Sequence, residues 1–136
     1  MAAHWLVKTE PETYGFADLQ REGVGVWDGV RNHAAAAHLK AMKLGDSVLV
    51  YHSGEARAVV GLAKVTREAF PDPSDPTGRF VAVEMAATGP VKQPVTLAQM
   101  KAEPALAGMV MLRQGRLSVA PVSDAEWATI LKLAGG

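Results

Sequence analysis

Trp27-Asp28-Gly29-Val30-Arg31-Asn32 places an indole, a carboxylate, a guanidinium and a carboxamide within six residues. A core tryptophan needs no polar neighbours, whereas a pocket for a flat heterocycle needs a stacking surface plus donors and acceptors for the ring's edge. The same residues admit a plainer role: Trp27 as a core anchor, Arg31 and Asp28 as a local ion pair, and Asn32 as a helix cap. On the motif alone both roles stay open.

The other chemistry-bearing residues give little support to catalysis. The chain has no cysteine, so it has no thiolate nucleophile, no disulfide and no thiolate metal site. His33 and His38 are five apart on a predicted helix, about 140° around its axis, where metal-binding pairs need three or four. His52 and Ser53 are neighbours on a predicted strand and point to opposite faces, so they form no nucleophile and base pair, and Ser53 lacks the glycines of a nucleophile elbow. Glu10 and Glu12 flank Pro11 on a turn and read as solvent-facing. Asp72 and Asp75 stand among prolines as turn formers. Gly23, Gly25 and Gly29 have the wrong spacing for a dinucleotide fingerprint, and no Gly-Lys-Ser or Gly-Lys-Thr follows. The expectation is a chain with no catalytic residue, no metal and no cofactor. General acid-base chemistry at His52 is the route these arguments leave open, since its ordinary pKa lies near pH ~6.5.

The elements that must position these residues are short. His4 to Lys8 reads as a strand ended by Pro11, and Phe16 to Arg21 as a helix closed by Gly23. Val24 to Trp27 is extended. Asn32 caps a helix over His33 to Met42, rich in alanine, and Leu44-Gly45-Asp46 turns the chain. Ser47 to Ser53 and Arg57 to Arg67 form a hairpin across Gly54-Glu55 at the centre of a sheet. Phe70 to Gly78, with three prolines, is predicted to be a surface loop, and Phe80 to Ala87 a further strand. A helix follows over Thr96 to Glu103 and a strand over Leu117 to Val119. The last helix starts at a Ser123 to Glu126 capping box and buries Trp127, Ile130, Leu131 and Ala134. Irregular alternation of strands and helices argues against a doubly wound parallel sheet and for a small, mostly antiparallel α+β barrel with helices packed on it.

At 136 residues with 49% hydrophobic residues, the chain suits one domain, 1–136, that holds a core without a staple. The amino terminus, Met1-Ala2-Ala3-His4-Trp5, lacks a signal sequence, and no stretch reaches about 18 apolar residues. A soluble, intracellular, monomeric protein with no membrane association is expected, cytoplasmic or, in a eukaryote, nuclear. Fourteen Lys and Arg balance fourteen Asp and Glu, so the whole molecule exerts no long-range pull on a polyanion. The charge is nevertheless blocked: residues 31–67 carry six bases (Arg31, Lys40, Lys43, Arg57, Lys64, Arg67) against two acids, between flanking segments in which acids prevail.

His4-Trp5-Leu6-Val7-Lys8-Thr9-Glu10-Pro11, Trp27 to Asn32, Met42-Lys43-Leu44-Gly45-Asp46, Tyr51-His52-Ser53, Arg116-Leu117-Ser118-Val119 and Pro121-Val122 resemble, in order, the motifs of EVE domain proteins. That family belongs to the PUA-like superfamily, so the resemblance implies an α+β, PUA-like pseudo-barrel. It also implies recognition of a modified nucleobase, typically a modified cytosine of DNA or RNA, by analogy with the related YTH readers. Carried over by position, the pattern puts Trp5, Lys8 and Thr9 near the pocket on the first strand. Trp27, Asp28, Arg31 and Asn32 form one wall, Tyr51, His52 and Ser53 lie on the central strand, and Arg116 and Ser118 on a late one. His33 stands where many relatives have tyrosine, and Phe80 where tryptophan is common.

The function expected is thus a reader that binds one extruded modified base and does no chemistry on it. The rival is a PUA-like hydrolase of the ASCH type acting on a modified nucleoside or RNA, with Lys8, Glu10 and His52 as its catalytic groups. A third possibility is an interaction module that has lost nucleic acid.

Overall fold

β1 (His4–Thr9) carries Trp5, Leu6 and Val7 in an unbroken buried run, the pattern of a strand covered on both faces. The computed structural model describes residues 3–135, so Met1, Ala2 and Gly136 of the expected 1–136 domain lie outside the described residues. Pro11 does more than end β1: it opens a short helix, α1 (Pro11–Tyr14), where its missing N–H costs nothing. α2 (Phe16–Glu22), β2 (Val24–Trp27) and α3 (His33–Ala41) follow. The long crossover they make lets β3 (Ser47–His52) pair parallel to β1.

Six strands pair in the order β2-β5-β4-β3-β1-β6, with β4 (Ala58–Pro71), β5 (Val81–Thr96) and β6 (Val119–Val122). Every pairing except β1 with β3 is antiparallel. The sheet is mixed and does not close: β2 and β6 are its two free edges. α3 packs on β4, β5 and β6 and spans the gap between the two ends of the sheet. The expected barrel is therefore an open one, plugged by a helix. Leu6, Leu49, Val50, Val59, Val65 and Met85 of the sheet form a contiguous core with Leu19, Leu39, Met100 and Ile130 from helices, the last two on α4 (Leu97–Ala102) and α6 (Asp124–Leu133).

Trp5 is fixed by a buried carboxylate. Its indole N–H donates to Asp46 at 2.9 Å, and the N–H groups of Ala3 and Lys43 donate to the same side chain. The predicted turn at Leu44-Gly45-Asp46 is thus also an anchor for β1.

Two strands run further than the sequence pattern implied. Phe70 and Pro71 belong to β4 rather than to the loop, and β5 continues through Gly89, Pro90 and Pro94 to Thr96. β2 pairs only with Val83 to Ala86, so beyond residue 87 the outer edge of β5 has no strand beside it, and prolines there remove no ladder bond. β6 is likewise an edge strand, which is how it holds Pro121, and it begins at Val119, later than expected. α5 (Val110–Arg113) and a 3-10 turn at Pro104–Leu106 left no periodic trace, being one turn each. Among the described residues no helix is long and apolar enough to cross a membrane.

Candidate functional site

At the seam between β2 and the end of β1 lies a cleft of about 560 Å³. The end of β1 supplies Lys8 and Thr9, and Ser118 stands beside them because the Lys8 N–H donates to the Ser118 carbonyl at 2.9 Å. α1 supplies Thr13 and Tyr14. The opposite wall is Val26 and Trp27 of β2, then Asp28, Gly29 and Val30.

Trp27 is only 6% exposed: it belongs to the core and also lines the cleft. Tyr14 meets it edge to face, with centroids 5.9 Å apart. A glycine makes this approach possible: a Cβ at residue 25 would lie 2.5 Å from the Tyr14 hydroxyl. That hydroxyl donates to Glu22 at 3.0 Å. Burial, followed by the Glu22 hydrogen bond and charge, pushes the phenol up to about 12, so it stays neutral.

The Asp28 to Asn32 segment is held from the 72–80 loop. Asp72, its side chain fully buried, accepts from the Gly29 N–H (2.9 Å), the Arg31 guanidinium (2.9 Å), and the N–H and hydroxyl of Ser74. Burial pushes the Asp72 carboxyl up, but the Ser74 hydroxyl, the Gly29 and Ser74 N–H groups and Arg31 together hold it at about 2. Gly29 has φ +77°, a conformation disfavoured for other residues, and this turns its N–H onto Asp72. Arg31 also reaches Ser74 and lies over the Phe80 ring. Phe80 in turn stacks on His33, with ring centroids 5.3 Å apart, and neither lines the cleft. Asn32 accepts from the Ala35 N–H and caps α3.

Of the residues singled out by sequence, then, Lys8, Thr9, Trp27, Asp28 and Ser118 meet at the cleft. Arg31 and Asn32 brace its wall from behind. The local ion pair of Arg31 with Asp28 does not form, because Arg31 pairs with Asp72; Asp28 is left exposed with no ion-pair partner among the described residues. Trp5 is buried on Asp46. Tyr51 and Ser53 line a neighbouring cavity, the Ser53 hydroxyl donating to the Thr9 carbonyl at 3.3 Å. His52 accepts the Phe16 N–H on Nε2 at 3.0 Å, and burial pushes its pKa down against the opposing pull of Glu12. Arg116 is exposed and lines neither cavity.

Sequence reasoning missed Thr13 and Tyr14, which sit on a four-residue helix with no pattern to announce it. Asp72 was legible as a turn former, since it does bond Ser74, but its hold on a segment 41 residues upstream was not. No group of three His, Asp or Glu side chains among the described residues is placed to hold a metal ion.

The EVE domain family model matches residues 3–133. Human thymocyte nuclear protein 1 is 31% identical over 98% of this chain and 74% of its own length. The structure of human THYN1 in complex with DNA containing 5-methylcytosine superposes with a TM-score of 0.91 at 29% identity, over 99% of both chains. Rpa0253 of Rhodopseudomonas palustris is 46% identical, with a TM-score of 0.92 over 98% of this chain and 94% of that one. A mutant ASCH protein of Zymomonas mobilis, at 14% identity and a TM-score of 0.60, shares the fold alone. The open PUA-like sheet, the family match along nearly its whole length and these relatives place the chain in the EVE domain family.

Proposed function

We propose that the chain is a non-catalytic reader that takes one extruded nucleobase, a cytosine modified at C5, into the seam cleft. The observation that carries this reading is the Asp28 carboxylate, which has no ion-pair partner among the described residues, at a cleft whose adjoining wall is Trp27 and Val30. A carboxylate is a natural acceptor for the exocyclic amino group of cytosine, and the Ser118 and Thr13 hydroxyls offer donors for the remaining edge. The apolar surface of Val26, Trp27 and Val30 suits a methyl substituent. The volume falls within the range of small-ligand sites. The complex of THYN1 with 5-methylcytosine DNA supports the same ligand class, with DNA ahead of RNA.

Extruding a base costs a few kcal/mol and stacking on an aromatic side chain returns roughly 1–3 kcal/mol, so the edge hydrogen bonds must supply the rest. Net charge of zero keeps non-specific phosphate affinity low and leaves selection to the cleft. Two of the three groups that a hydrolase would use are occupied, the His52 Nε2 lone pair by the Phe16 N–H and the Lys8 amine by the Gly115 carbonyl at 2.7 Å, while Glu10 is exposed. The reader works as a monomer inside the cell, where its nucleic acid is.

The test is binding to single-stranded and duplex oligonucleotides that differ in one 5-methylcytosine, with mass spectrometry of the mixtures. Tighter binding of the methylated strand with unchanged mass is expected. Equal affinity for both strands overturns the reading, and turnover lost in His52→Ala, Lys8→Ala or Glu10→Ala would replace it with the hydrolase.

A further inference from the structure

Lys8 lines two cavities at once. On one side is the seam cleft; on the other is a basin of about 250 Å³ whose walls include Arg57, Lys101, Tyr51 and Met111. The Lys8 amine sits 5.7 Å over the Tyr51 ring, set there by the β1 and β3 register that pairs the two residues. Arg57 and Lys101 also line an outer cavity of about 380 Å³ that continues the basin past Leu97. No carboxylate lines the inner basin, and Glu55 stands in the outer one. Neither Lys8, Arg57 nor Lys101 has an ion-pair partner among the described residues.

Arg57 carries a second mark. Among the described residues it is the one non-glycine with positive φ, +42°. Its carbonyl accepts the Leu97 N–H at 2.8 Å, which ties this turn to the start of α4 and to Lys101 beyond. Strain of this kind persists where the surroundings enforce it, and it gathers at ligand sites. Of the six bases in the 31–67 block, Arg31 is engaged by Asp72 and Arg67 lies over Phe70; Arg57 alone lines the basin.

We infer that the basin is a phosphodiester subsite, in which Arg57 and Lys101 receive the backbone phosphate flanking the base held in the cleft, with Lys8 at the boundary between base and backbone. The inference rests on the reader function proposed above. It accounts for a neutral protein that still engages a polyanion: a few uncompensated cations stand where the strand must pass, rather than a basic face. The apolar floor of Met111, Leu112 and Leu97 also lets the sugar next to that phosphate pack without competing for the cations.

The test uses Arg57→Gln and Lys101→Gln, singly and together, against a methylated single-stranded oligonucleotide, the corresponding free nucleoside and inorganic phosphate. The double variant is expected to bind the oligonucleotide about tenfold more weakly at low salt and to lose about 0.7 from the salt slope per phosphate released. Nucleoside binding should be unchanged, because the nucleoside has no phosphate. Arg57→Lys should restore the slope. Arg57→Gly, which relieves the backbone and removes the charge, should melt no lower than wild type yet bind as weakly as Arg57→Gln. An unchanged slope in the double variant overturns the inference, and so does an equal loss of nucleoside affinity. Inorganic phosphate that binds wild type and not the double variant, with oligonucleotide binding untouched, would reassign the basin to a free anion. If wild type fails to distinguish methylated from plain strands, the reader function fails, yet the slope on the plain strand still decides the basin.

Discussion

The Arg31 guanidinium donates to the Asp72 carboxylate at 2.9 Å across 41 residues of chain, passing over Asp28 only three positions away. One choice of partner thereby sets two properties of the cleft. The wall is pinned to a buried, ionised anchor, and the exposed carboxylate of Asp28 forms no ion pair among the described residues. Had Arg31 paired locally, the acceptor needed for a base edge would have been neutralised where it stands.

Asp28→Ala should therefore weaken binding of the methylated strand by about 1–3 kcal/mol, roughly tenfold to a hundredfold, the usual worth of a base-edge contact. The melting temperature should hold, since Asp28 is exposed and has no ion-pair partner among the described residues. Titration of wild type and variant with methylated and plain strands checks this, and equal affinities would remove Asp28 from the site.

Asp72→Asn should act on the wall without touching ligand. Its carboxyl is held at about 2, below the ordinary value of 3.8. A depressed pKa means stability that is complete above pH about 4 and lost as the pH falls through about 2. The variant should lack that contribution at neutral pH, melt lower, exchange its Gly29 amide faster and discriminate less between strands. Melts of both proteins down a pH series should converge towards pH 2; curves that stay parallel would mean that Asp72 is not the anchor.

The contrast between Asp28 and Asp72 shows what the sequence could and could not reveal. Short-range rules found the Ser123 capping box, the Asn32 cap and the Val- and Leu-rich run of β3, because each depends on residues within a few positions. The EVE motifs named the family and brought five residues of the cleft into view. Tyr14 and the Asp72 anchor were invisible because their roles come from contacts made only after β2 folds onto β5 and the 72–80 loop closes over residues 29–31. Trp5 illustrates the opposite: a motif residue that serves the core through Asp46, away from the cleft.

Trp27 and Gly25 make a paired prediction. Trp27→Ala removes a ring that is almost wholly buried and should cost about 3–5 kcal/mol of stability, so loss of binding in that variant would mix two effects. Trp27→Phe keeps most of the packing and should lose discrimination with a smaller drop in melting temperature. Gly25→Ala puts a methyl 2.5 Å from the Tyr14 hydroxyl and 2.8 Å from Leu19, so Tyr14 must move. Weakened binding in both Gly25→Ala and Trp27→Phe would tie the aromatic pair to the ligand; full discrimination in both would leave Trp27 a core residue.

His52 gives the site a pH dependence whose sign follows from its hydrogen bond. Nε2 accepts the Phe16 N–H at 3.0 Å, which requires the unprotonated nitrogen, and burial lowers the pKa from 6.5 while Glu12 pulls the other way. The stabilisation is therefore complete above pH about 6.5 and is lost as acid protonates the ring below that value. Protonation replaces an acceptor with a donor facing a donor, which loosens the start of α2 and, through Gly15, the Tyr14 edge of the cleft. Base selectivity should fall as the pH drops below 6.5. His52→Gln keeps an acceptor and removes the titration, so its selectivity should be flat over the same range. Imidazole shifts followed by NMR, alongside affinities at each pH, provide the measurement. An imidazole that titrates at or above 6.5 with the Phe16 amide unmoved would show that His52 does not couple α2 to the sheet.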